Sequence, residues 1–115
     1  MLRTDGTAVW CELSRLETLG ALHRSPTAAL ADLVRIRLVD DPWKAGVLRG
    51  WRAPGTGIPW VILLGTMRRR GGKDFCAVRG RRAAYVLDFA DGEFDRWVVS
   101  ADRGIDPALA ERVER

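Results

Sequence analysis

Along most of this chain apolar and polar residues alternate with a period of two, and a helical period surfaces only near the two ends. Residues 9–13, Val-Trp-Cys-Glu-Leu, alternate as a half-buried strand does. The period then changes: Ser14 and Glu17 have capping-box spacing, and Leu16, Leu19 and Leu22 follow, so a short helix is expected over 15–22. Ser25-Pro26 ends it, because proline has no N–H and pushes its predecessor toward extended geometry. Residues 27–33 fit either a helix or a short strand and a turn. Residues 34–38, Val-Arg-Ile-Arg-Leu, form the cleanest strand, with two arginines on one face and three apolar residues on the other.

The second half is punctuated by turn residues. Glycines and prolines crowd residues 43–60, which read as a long surface loop with one short strand over 47–51. Residues 60–68 follow, apolar on both faces in their first half as a strand covered on both sides would be. Connections at 69–72, 80–82 and 90–92 separate strands expected over 73–79, 83–89 and 96–101. Asp106-Pro107 is a helix start, and Ile105, Leu109 and Val113 share one helical face, so an amphipathic capping helix is expected over 105–115. The fold class that results is mainly β: about seven short antiparallel strands in a single domain, 1–115, with residues 1–7 as an N-terminal tail. Short, numerous strands are best satisfied by closure into a small barrel, which removes exposed edges, with the terminal helix over an open end.

Composition agrees with one packed core. The chain has 115 residues, 47% of them hydrophobic, and five tryptophans, enough for a single domain without a stapling metal or disulfide. Cys11 and Cys76 stand among apolar neighbours, as small buried hydrophobes in a reducing compartment do. One histidine, His23, leaves too few soft ligands for a structural zinc site. The first residues lack the pattern of a secretion signal, and the longest apolar run, residues 58–64, falls far short of the roughly 20 a membrane helix needs. A cytoplasmic location without an integral membrane segment is the expectation.

The order of elements resembles the bacterial pleckstrin-homology-like domains, in which a seven-stranded bent barrel is plugged by a C-terminal helix. The stretches that carry the likeness are residues 30–36 (Leu-Ala-Asp-Leu-Val-Arg-Ile), the run of hairpins over 60–101, and the segment 106–115. Pro54 to Gly57, Gly71 to Phe75 and Phe94 to Arg96 are similar to patterns in small uncharacterised actinobacterial proteins. The resemblance implies a PH-like bent barrel. It carries no lipid site onto this chain, because the region matching the first hairpin offers only Arg15 and Arg24, and the terminal helix has no tryptophan.

Charge is the strongest functional signal. Residues 65–82 hold Arg68, Arg69, Arg70, Lys73, Arg79, Arg81 and Arg82 against Asp74, while the rest of the chain has 12 basic and 14 acidic residues. The overall charge of +4 therefore comes from this segment, and two neighbouring hairpin tips would present it as one patch. Clustered guanidinium groups fork onto phosphate or carboxylate oxygens; equally, charged tips keep strand edges soluble. Trp51 and Trp60 flank the Pro-Gly loop as a candidate aromatic platform, or else pack beneath it. Asp88, Asp91, Glu93 and Asp95 read as a solvated acidic hairpin.

Several activities lack their motif. A phosphate-binding P-loop fails at Met67 and Asp74, and a dinucleotide fingerprint fails at Trp60. No catalytic constellation, cofactor motif or metal-ligand set stands out. The expectation is a non-enzymatic module that engages a protein partner or its own copy. The alternative is an anionic-surface binder, for acidic phospholipid or nucleic acid, through the basic hairpins 68–82.

Overall fold

The computed structural model describes residues 1–14, 25–48, 51–58 and 62–114; the helix expected over 15–22, His23 and Trp60 lie outside them. The chain is mainly β. A three-stranded sheet is formed by β1 (Leu2–Thr4), β2 (Ala8–Cys11) and β3 (Thr27–Ala29), in that order. The main sheet has seven strands: β4 (Leu33–Val39), β5 (Trp51–Ile58), β6 (Ile62–Arg69), β7 (Gly72–Arg79), β8 (Ala84–Phe89), β9 (Arg96–Ser100) and β10 (Val113–Glu114). Its order is β10-β4-β8-β9-β7-β6-β5. One turn of helix, α1 (Pro107–Ala110), precedes β10.

Alternation places β6, β7, β8 and β9 between two cores. On one face Leu64, Phe75, Ala77, Leu87, Phe89, Trp97 and Val99 pack with Leu2, Val9 and Cys11 of the small sheet. On the other, Leu63, Cys76, Val78, Ala84, Val86 and Val98 pack beneath Val47, with Trp43 and Leu48 alongside. The apolar pair Leu63-Leu64 is thus divided between the two layers, the physical meaning of a strand with no polar face. Burying Phe75 fully contributes about 2 to 3 kcal/mol.

Four expectations are corrected. Residues 1–7 are not a tail: Leu2 to Thr4 pair with Val9 to Cys11, and Leu2 is buried. The surface loop over 43–60 contains an eight-residue strand, β5, in place of the short strand expected over 47–51; a register shift between Arg52 and Gly55 accommodates Pro54 at the sheet margin, where its missing N–H costs no ladder bond. The sheets do not close into a barrel, and two pairings are parallel, β7 with β9 and β10 with β4. The β7-β9 pairing is parallel because β8 leaves a space beside β7 that β9 then fills, setting Trp97 beside Phe75 and Arg96 beside Asp74. The capping helix over 105–115 is reduced to α1, because neighbouring backbone captures its ends. Asp106 Oδ2 accepts from Thr4 N at 2.9 Å instead of capping α1, Arg112 donates to Leu33 O at 3.2 Å, and Val113 pairs with Ile36. Leu109 still reaches the core, and residues 27–33 resolve as a strand followed by a 3-10 turn.

Candidate functional site

The hairpin β6-β7 turns at Arg70-Gly71, where Gly71 adopts φ +85°, a conformation side chains disfavour. Arg68 and Lys73 are register partners below the turn, Arg69 closes β6, and Arg68 and Arg70 are exposed. Facing this tip is the β8-β9 connection, residues 90–95. Asp95 N donates to Lys73 O at 2.9 Å and Asp95 O accepts from Phe89 N at 2.9 Å, so the two turns are fastened through backbone. Between them opens a cleft of about 470 Å³ lined by Arg68, Gly71, Gly72, Lys73, Gly92, Glu93 and Asp95.

Both charges line this cleft. Lys73 Nζ lies 3.4 Å from Glu93 Oε2 and 5.1 Å from the centre of the Phe94 ring, itself edge-on to Phe75. The aromatic contact and the ion pair fix the lysine over a buried ring, and Asp91 and Glu93 stand exposed on the opposite turn.

The remaining basic residues lie elsewhere. Arg79 ends β7 and Arg81 and Arg82 occupy the following connection, at the far end of the strand that begins at Gly72. Eight residues of strand separate the two groups by about 23 Å. Consecutive connections of a meander alternate ends, so residues 68–73 and 79–82 do not form the single patch expected from the sequence. Arg81 pairs with Asp41 at 3.0 Å and Arg82 with Asp102 at 3.0 Å. Burial alone would raise the Asp41 carboxyl, but hydrogen bonds from Arg81 and the Trp43 N–H outweigh it and hold it below the usual range. Trp51 opens β5, and its side chain, like Trp60, lies outside the described residues, as does the aromatic pair expected from the two.

A second charged cluster was missed. On the face of the main sheet that bears Val86 and Val98, the row Arg35, Asp88, Arg96, Asp74 crosses β4, β8, β9 and β7 at matched register. Asp88 Oδ2 accepts from Arg35 Nε at 3.0 Å and Arg37 at 3.2 Å, and its Oδ1 accepts from Arg96 Nε at 2.7 Å. Arg96 also donates to Val47 O at 3.2 Å, tying down the loop over this face. Burial works to raise the Asp88 carboxyl, yet the hydrogen bonds from Arg96 and Arg35 and the nearby charges hold it below the usual range. Asp88 is therefore no part of a solvated hairpin. The Arg35/Arg37 alternation marked a polar face on β4 but carried no sign of which residue would meet it.

Cys11 and Cys76 are buried free thiols, and burial pushes both thiols up. No cluster of His, Cys, Asp or Glu suited to a metal is found among the described residues, and none of their helices is long and apolar enough to cross a membrane. Compared with known proteins, the chain matches no family model, no curated protein and no solved structure.

Proposed function

We propose that this chain is a non-enzymatic binding module that engages a protein segment in the cleft between the β6-β7 and β8-β9 turns. The observation that carries this reading is the mixed charge of the cleft, with Arg68 and Lys73 on one wall and Glu93 and Asp95 on the other. A polyanion such as nucleic acid or an acidic membrane needs many cations on one face; here the seven basic residues are divided between two ends of β7, and three face carboxylates. A protein segment bearing both signs meets complementary partners on both walls, which supplies specificity and register. The resemblance to pleckstrin-homology-like domains supports this reading only through the succession of short strands, and contributes no site.

The second reading, an anionic-surface binder, draws on Arg68, Arg70 and Arg79, which are exposed. Two paired variants separate the readings: Arg68→Ser with Lys73→Ser, and Glu93→Gln with Asp95→Asn. For protein recognition, both variants lose capture of the same partner from native lysate, and retention on anionic vesicles or nucleic acid stays low. For polyanion binding, the first variant loses retention while the second gains it, with a steep salt dependence. That second outcome would overturn the proposal.

A further inference from the structure

The geometry points to a binding site for a phosphate group on β4, between Arg35 and Arg37, separate from the hairpin cleft. Three guanidinium groups converge on the single carboxylate of Asp88, so the partly buried row, with Asp74 at its far end, holds three positive charges against two negative. Asp74 lies beyond Arg96 at the far end of the row, and Arg96 is itself committed to Asp88 and the Val47 carbonyl. The excess therefore sits at Arg35 and Arg37. Both share one oxygen, Asp88 Oδ2, which uses one nitrogen of each. Arg37 Nε is buried with no hydrogen-bond partner, so the carboxylate supply on this face is short of its donors. Glu114, the register partner of Arg37 on β10, is exposed.

The two arginines stand two residues apart on one strand face, about 6.6 Å along the strand, and their side chains are 46% and 28% exposed. Both side chains are therefore partly open to an incoming anion from solvent. Two planar forks together present more donors than a carboxylate's two oxygens can take, whereas a phosphate group offers three or four oxygens to receive them. A free phosphate compound and a lipid headgroup share this chemistry.

The test follows the arginine Nε–H resonances of the full chain during titration with inorganic phosphate at constant ionic strength. The expected result is a saturable shift at Arg35 and Arg37, with affinity reduced roughly tenfold or more in Arg35→Ser and Arg37→Ser, the loss expected for a charge-assisted pair. Arg35→Lys keeps a cation beside Asp88 but removes the fork, and shows a comparable loss in a protein whose fold is preserved. Arg68→Ser with Arg70→Ser leaves phosphate binding unchanged. Vesicles of phosphatidylcholine with phosphatidic acid distinguish the source: retention lost in the Arg35 and Arg37 variants assigns the phosphate to a headgroup, and inorganic phosphate bound without vesicle retention assigns it to a soluble compound. Absence of a saturable shift, or an equal loss in the Arg68/Arg70 variant, overturns the proposal.

Discussion

Removing the charge at Asp88 leaves Arg35, Arg37 and Arg96 without the anion on which all three converge. Asp88→Asn is expected to destabilise the fold by about 2 kcal/mol, less than a fully buried pair would show because the site keeps some solvent contact. The pH dependence has a definite sign. The carboxyl's folded pKa lies below its unfolded value, so its contribution is fully present above the ordinary carboxylate range and is lost as pH falls through the depressed folded value. Urea midpoints measured from neutral to acid pH should fall for the native chain, and Asp88→Asn should flatten part of that slope. The thiols give a second check: Cys11 and Cys76 should resist alkylation in native buffer and react in denaturant, because burial disfavours the thiolate. Their burial was legible from apolar neighbours alone. The role of Asp88 was not, since its partners lie 53 and 51 positions away and local spacing carries no trace of them.

Where a strand's own alternation determines its faces, the elements were legible: β6, β7, β8 and β9 fall within a few residues of their expected bounds. The two ends were misread because tertiary hydrogen bonds compete with local propensity. Asp106-Pro107 does start a helix, but Thr4 takes the capping carboxylate and Ile36 draws Val113 into strand pairing. Leu109 is the residue that anchors this segment, 1% exposed in the core beside Leu2. Leu109→Ala should cost about 3 kcal/mol through lost burial and the cavity left behind, read as a lower urea midpoint with unchanged slope. A much smaller cost would mean that the segment after Ile105 is dispensable to the fold.

At the scale of the whole molecule, the strand order decides the functional reading. The sequence suggested a succession of antiparallel hairpins, and nothing in its local pattern requires β9 to lie between β7 and β8. That arrangement depends on contacts between residues distant in the chain, Phe75 with Trp97 and Asp74 with Arg96. The net positive charge of 65–82 was read correctly from composition; its distribution was not, because β7 carries the chain across the molecule between Lys73 and Arg79. The most direct test of the account is the distance between nitroxide labels at positions 70 and 82, introduced by Arg70→Cys and Arg82→Cys in a chain whose own cysteines are buried. The account predicts a distribution centred above about 20 Å, the length of β7. A distribution centred at roughly 5–10 Å, one or two strand spacings, would place the basic turns side by side and contradict it.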